Sequence, residues 1–277
     1  MAEERSIDTL PFVASLNEVR ETLVRDPEEY WRRVRKEGRE LVERRFLQNG
    51  FVWGREPAPS AIIAELLARV LQQPSERARK RTALVPGCAY GRNALYFARR
   101  GWQVLAFDTS SRAIDMAREW MGWDAACSGD VDFLVADATS PTPEALGRHS
   151  PYDLVYLGKT LHQFRDSEAE ALLRLLHGLL APTGVLAISA MARSGEVFAD
   201  VARNGVMVDT HTYDVRGFRP VRFYSEDQLE ELLRHCGFTA VESTMVQEPE
   251  THSRSAHETS GDSHAHDMLF TIGRRVR

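Results

Sequence analysis

Hydrophobic positions follow two rhythms along this chain. From Thr82 onward, short apolar runs alternate with longer stretches whose apolar residues recur at helical spacing. The short runs predict strands at Thr82–Val85, Gln103–Phe107, Val131–Ala136, Leu154–Leu157, Gly184–Ser189, Thr239–Val246 and Met268–Gly273. The longer ones predict helices at Asn93–Arg100, Ser111–Trp120, Ser167–Leu180 and Ser225–His235. Such alternation predicts an α/β fold: a Rossmann-like, seven-stranded, mostly parallel sheet with helices on both faces. No helix separates the last two strands. They should pair antiparallel as a C-terminal hairpin, joined by the polar stretch Gln247–Asp267.

Before Thr82 the rhythm is helical and charged. YWRRVRKEGRELVERRF (Tyr30–Phe46) mixes arginine and glutamate with apolar residues at helical spacing. It reads as a solvated helix face or as an anion-attracting one. NGFVWGREPAPS (Asn49–Ser60) carries two prolines and two glycines and reads as a loop. Ser60 is placed to cap a further helix, AIIAELLARVLQQ. The expected division is an N-terminal helical cap with its approach segment over residues 1–79, and the α/β domain over 80–277.

Composition narrows the function classes. The 277 residues are 43% hydrophobic, enough for a substantial core, and the formal charge of -5 points away from nucleic acid. No apolar run approaches the ~20 residues that span a bilayer. The N-terminus lacks the charged-then-apolar order of a signal peptide, so a cytoplasmic protein is expected. Cys88, Cys127 and Cys236 are too far apart for a zinc pattern and odd in number for a disulfide framework.

The first strand breaks into Gly-Cys-Ala-Tyr-Gly, and the second ends in an acid. Ligands of open parallel sheets sit outside the carboxyl ends of the strands. A dinucleotide would want Gly-x-Gly-x-x-Gly at the helix N-terminus. Counted from Gly87, this chain supplies Gly87, Ala89 and Arg92, so that ligand is disfavoured. S-adenosylmethionine needs a tight turn beneath its amino-acid end and a carboxylate for two ribose hydroxyls. Gly87 and Gly91 can form the turn, and Ala89 is small enough to leave room. Asp108 ends the second strand where the ribose would lie. Asp137 ends the third, where it could accept from the adenine amino group.

VPGCAYGRN followed by an acid-ended strand resembles the first motif of class I S-adenosylmethionine-dependent methyltransferases. Within them, LVPGC and FVWGREPAPS resemble the thiopurine methyltransferase group, and GRNALYFARRGWQVLAFD resembles the tellurite-resistance methyltransferases. The likeness covers roughly residues 50–190. The family usually carries Gly where Ala89 stands. The resemblance implies that Gly87, Ala89 and Gly91 line the methionine end, with Asn93 opening the helix behind them. It implies Asp108 and Thr109 at the ribose, Asp137 and Ala138 at the adenine, and Lys159 near the sulfonium. Trp53 would cover the cofactor or serve as an ordinary core tryptophan.

Methyl transfer from a sulfonium needs alignment more than acid–base help. A base matters where the nucleophile arrives protonated. YLGKTLHQF (Tyr156–Phe164) follows the fourth strand, on the substrate side, and offers Lys159 and His162. Lys159 would steer an anionic substrate or be a rim lysine; His162 would be a base or half of a structural Leu-His pair. The Asn/Asp-Pro-Pro-Tyr signature of base-amino methyltransferases is absent. Two long segments should overhang the same edge. Met191–Ser225 brings His211 and Tyr213 as further catalytic candidates. Thr251–Asp267 brings His252, His257, His264 and His266 among carboxylates. It reads as a solvated loop, a lid or a divalent-metal site. The expected function is methyl transfer from S-adenosylmethionine to a small-molecule sulfur, selenium, oxygen or nitrogen. The alternatives are an RNA or protein methyltransferase and a non-catalytic cofactor- or metal-binding regulator.

Overall fold

The computed structural model describes residues 15–49, 61–71, 80–124, 129–140, 142–215, 220–251 and 263–275. The N-terminal part holds α1 (Leu16–Arg25), α2 (Pro27–Asn49) and α3 (Ala61–Leu71). The sheet follows, with β1 (Thr82–Pro86), α4 (Arg92–Ala98), β2 (Gln103–Asp108), α5 (Ser111–Trp123), β3 (Val131–Val135), α6 (Pro143–Leu146), β4 (Tyr152–Gly158), α7 (Asp166–Leu179) and β5 (Leu180–Met191). Next come α8 (Gly195–Asn204), β6 (Val206–Asp209), β7 (Thr212–Asp214) and β8 (Val221–Arg222). The chain ends with α9 (Glu226–His235), β9 (Thr239–Thr251) and β10 (Ser263–Arg274).

Seven strands form one sheet in the order β3-β2-β1-β4-β5-β10-β9. β1 to β5 pair in parallel. β10 is antiparallel to both β5 and β9, so the expected C-terminal hairpin is present. β1 lies between β2 and β4, so the order reverses there and opens a crevice at the strand ends.

The strands form where the chain is apolar enough to be covered on both faces. Every residue of β1 is buried, as parallel strands flanked by helices require. α7 buries Ala169, Leu172, Leu173 and Leu176, a spacing that makes one stripe. Each buried leucine contributes about 1.5–3 kcal/mol. The stripe packs with Leu84, Val155, Leu186 and Ile188 on one face of the sheet. The other face packs Val85, Tyr156, Ala187, Met191, Val246, Met268 and Phe270. α9 starts at a reciprocal cap in which Ser225 and Gln228 each accept the other's backbone N–H.

Two departures from the expected pattern bear on the site. Met191–Ser225, expected as a long loop, contains α8 and a separate three-stranded sheet in the order β6-β7-β8. Those strands have two to four residues each, too short for a periodic signal. β9 and β10 also run further than expected, so the polar link between them shrinks to residues 252–262.

The three-stranded sheet seats α1 and the start of α2. Val19, Tyr30, Trp31 and Val34 pack on Val206, with Leu16, Leu23 and Val208 at the margin. The Tyr30 hydroxyl donates to Asp214 Oδ2 at 2.7 Å, across 184 residues of sequence.

Candidate active site

A cavity of about 390 Å³ opens at the carboxyl ends of the strands. Its floor is the turn after β1, its roof is α2, and its far wall comes from β4, β5 and β9.

The turn has the backbone that its sequence suggested. Gly87 has φ +64° and Gly91 φ +88°, both in the left-handed region. Ala89 joins them at φ +47°, strained for a residue with a side chain. Its N–H donates to Asp108 Oδ2 at 2.9 Å, and the Ser110 N–H donates to Asp108 Oδ1 at 3.0 Å. The second-strand carboxylate thus holds the turn of the first strand in place. Burial raises the Asp108 carboxyl above its ordinary range, while backbone N–H groups of Ser110, Ala89 and Thr109 pull it back. Each carboxylate oxygen can accept a second donor.

Asp137 stands at the end of β3. Its Oδ1 accepts from the Thr139 N–H at 2.8 Å and the Thr139 hydroxyl at 2.7 Å. Its Oδ2 pairs with Arg39 of α2 at 3.1 Å. Gly87, Ala89, Asn93, Asp108, Thr109, Asp137, Ala138 and Lys159 therefore line one cavity. Gly91 lies behind the turn as the residue before α4, packed near Ala117 and Phe133. Trp53 lies outside the described residues.

α2 is fastened over the cavity by polar contacts at several points. Arg35 pairs with Glu168 and donates to the Gln163 carbonyl at 3.2 Å. Glu43 accepts from the Ser111 N–H at 2.6 Å, the Ser110 hydroxyl at 2.8 Å and the Arg112 N–H at 3.1 Å. It thereby caps α5 from another helix. Arg32 and Arg33 pair with Asp26 and Glu37. With Arg35 and Arg39 also paired, four arginines of the helix meet the protein's own carboxylates.

Glu43 supports a pH prediction. Burial raises its carboxyl, but hydrogen bonds from Ser110, Ser111 and Arg112 outweigh burial and hold it below its ordinary 4.5. Its stabilising effect is present above that value and fades as pH falls through the depressed folded value. Glu43→Gln should lower stability by about 1 kcal/mol at pH 7, the usual scale of a lost cap. The gap to wild type should close in acid. Urea unfolding at pH 7 and pH 3.5 checks it, and a gap unchanged by pH would contradict the capping role.

The far wall carries the groups after β4. Lys159 has φ +53° and its Nζ lies 3.5 Å from Glu248 Oε1. His162, in the short 3₁₀ turn Leu161–Gln163, is buried in the wall. His211 and Tyr213 are not among the lining residues. His211 sits at φ +50° between β6 and β7, its Nε2 2.7 Å from Arg193 Nη1. Burial, then the Arg193 charge, lowers its pKa. Tyr213 packs on Phe198 and Phe223. Of the segment expected to shape the acceptor pocket, only Met191 and Pro220 line the cavity among the described residues.

The histidine-rich segment gathers no metal site among the described residues. His252 and His257 lie outside them. His264 and His266 stand two apart on β10, and His266 faces Glu248 across the strand pair. Among the described residues, no helix is long and apolar enough to cross a membrane.

Sequence reasoning missed Glu248, Ser189 and the roof residues Arg35 and Arg39. Glu248 carried a weak signal. It stands two residues after the core residue Val246, on the same face of β9.

Comparison with known proteins agrees with this geometry. Residues 57–243 match the model of a methyltransferase domain. A trans-aconitate 2-methyltransferase of Methylobacterium radiotolerans is 38% identical over 128 residues, 45% of this chain. That match spans 42% of the relative's own length. Among solved structures, an S-adenosylmethionine-dependent methyltransferase of Methanosarcina mazei superposes with a TM-score of 0.59 at 16% identity, covering 76% of this chain and 97% of that one. A protein from the conversion of a disulfide bond into a thioacetal group in echinomycin biosynthesis gives 0.56 at 20% identity, with 81% and 84% covered. At these identities the structures speak for the fold, a Rossmann-like sheet shared with such methyltransferases. The narrower thiopurine and tellurite-resistance likeness finds no counterpart among these matches. With the match covering about two thirds of this chain, the chain belongs to the methyltransferase domain family.

Proposed function

We propose that this chain is an S-adenosylmethionine-dependent methyltransferase acting on a small-molecule acceptor, with residues 80–277 as the catalytic domain and residues 1–79 as its cap. The observation that carries the reading is the turn of Gly87, Ala89 and Gly91, latched to Asp108 beside a cavity under α2. The cavity fits the cofactor chemically. Asp108 retains acceptor capacity for ribose hydroxyls, and Asp137 stands one strand further out, on the adenine side. Lys159 and His162 lie beyond β1, where the methyl acceptor would enter.

The bound cofactor supplies a methyl group already activated by its sulfonium charge. The chain's own part is alignment, which contributes about 7–11 kcal/mol in well-oriented reactions. The Gly87 turn and Asp108 fix one partner, the wall of β4 and β5 fixes the other, and α2 excludes water. A cavity of this size admits small molecules. The ion pairs of Arg35 and Arg39 and the charge of -5 favour a small acceptor over RNA. The trans-aconitate relative supports a small acceptor, although only part of its length is matched.

Calorimetric titration with S-adenosylhomocysteine tests the reading. Micromolar or tighter binding is expected. Absence of binding by folded protein would overturn the assignment.

A further inference from the structure

One carboxylate in the cavity has no role in the cofactor reading. Glu248 is 7% exposed and lines the far wall. Its Oε1 meets Lys159, while its Oε2 is buried without a hydrogen-bond partner. Ser189, 1% exposed, lines the same wall, and its hydroxyl is likewise buried without a partner. Two unsatisfied polar groups on one wall are costly, at roughly 1–3 kcal/mol each.

Strand register explains why they share that wall. Ser189 sits on β5 between Ala187 and Met191, and all three face one side. Phe270 and Met268 of β10 oppose Ser189 and Met191. Val246 of β9 opposes Met268, and Glu248 continues the row. The far wall is therefore apolar with three polar points in it: Ser189, Glu248 and, opposite Glu248 on β10, His266. Adjacent strands lie about 4.8 Å apart. β5 is three strands from β2, and β9 is two strands further. Glu248 and Ser189 thus stand well away from Asp108, on the acceptor side.

The ion pairs along the cavity disfavour one class of acceptor. Lys159 already faces Glu248, Arg35 faces Glu168 and Arg39 faces Asp137. A carboxylate entering the acceptor side would meet an ion-paired lysine and a buried like charge.

We propose that Glu248 receives the proton of the acceptor, and that the acceptor is a neutral small molecule presenting an O–H or N–H group. The proposal rests on the cofactor reading above. The acceptor's hydrogen fills the vacant bond of Glu248, and Ser189 holds a second polar group. When the acceptor oxygen or nitrogen bonds to the methyl carbon, the carbon–sulfur electron pair stays on sulfur and the proton passes to the Glu248 carboxylate. The products are the methylated acceptor, neutral S-adenosylhomocysteine and protonated Glu248, which returns its proton to solvent.

The test is calorimetry on protein saturated with S-adenosylhomocysteine, using catechol and benzoate as probes of similar size. Wild type should bind catechol at least tenfold more tightly than benzoate. Glu248→Gln removes the like charge and its ion pair with Lys159, so benzoate should gain and the preference should shrink by tenfold or more. Glu248→Asp should keep the preference. Affinity for S-adenosylhomocysteine should be unchanged in both variants. Benzoate preferred by wild type, no catechol binding, or a preference that Glu248→Gln leaves unmoved would each overturn the proposal. Should Glu248→Gln not fold, the wild-type preference alone decides. Failure of S-adenosylhomocysteine itself to bind is a separate result, which removes the cofactor reading and this proposal with it.

Discussion

Asp108→Ala is expected to weaken S-adenosylhomocysteine binding by 100-fold or more. The carboxylate has two functions in the structure. It would accept two ribose hydroxyls, and hydrogen bonds to a charged group are worth about 1.5–3 kcal/mol each. It also orders the turn, by accepting from Ala89 and Ser110. Alanine leaves those N–H groups without their acceptor, so a modest loss of stability should accompany the loss of binding. Asp108→Asn separates the two functions. It keeps one acceptor oxygen and should restore stability more fully than affinity. Because burial raises the Asp108 carboxyl, binding should also weaken as pH falls through that raised value. Ribose donors favour the charged form, so ligand and proton compete. Calorimetry at pH 7 and pH 4.5 on wild type and both variants measures all of this. Undiminished affinity in folded Asp108→Ala would place the ribose elsewhere.

Gly87→Ala should cost stability and binding together. At φ +64° a residue with a Cβ bears roughly 1–2 kcal/mol of backbone strain. The new methyl would also stand 2.6 Å from Thr160 Cγ2 and from Thr160 Oγ1. Thr160 cannot easily yield. It is buried, and its hydroxyl lies within hydrogen-bonding distance of the carbonyls of Gly158, at 3.1 Å, and Pro86, at 3.3 Å. The contact lies where β1 and β4 diverge, so any relief moves the floor of the cavity. A loss of about 2–4 kcal/mol is expected, combining strain and overpacking. Gly87→Ala with Thr160→Ser tests the cause. Removing the Thr160 methyl should recover part of the loss. Urea unfolding of the single and double variants is the measurement, and equal losses in both would rule out the clash with Thr160 Cγ2.

The sheet was legible in the sequence because parallel strands buried on both faces are unbroken apolar runs. β1 and β4 are the clearest cases. The Asp108 and Asp137 positions were legible because each acid ends such a run. The roof was not. Nothing local to Glu43 or Arg35 shows that their partners lie on α5 and α7, since those contacts cross 67 and 133 residues of chain. The three short strands of the second sheet were lost because two to four residues are too few to show a period. Glu248 was hidden by composition. It lies in a polar stretch that reads as a link, and only the burial of Val246 shows that β9 continues inward. Ala89 was legible as a departure from the family pattern. What the sequence withheld was its backbone, which takes the left-handed conformation that Gly would have adopted freely.

The seating of the N-terminal helices on Val206 and Asp214 sets an order for folding during synthesis. Tyr30 leaves the ribosome 184 residues before its partner Asp214. At 5–20 residues per second, that interval is roughly 10–40 s. Through it, Val19, Tyr30, Trp31 and Val34 have no three-stranded sheet to cover them. α1 and α2 thus dock only after that interval, and through it the nascent chain carries an uncovered apolar face.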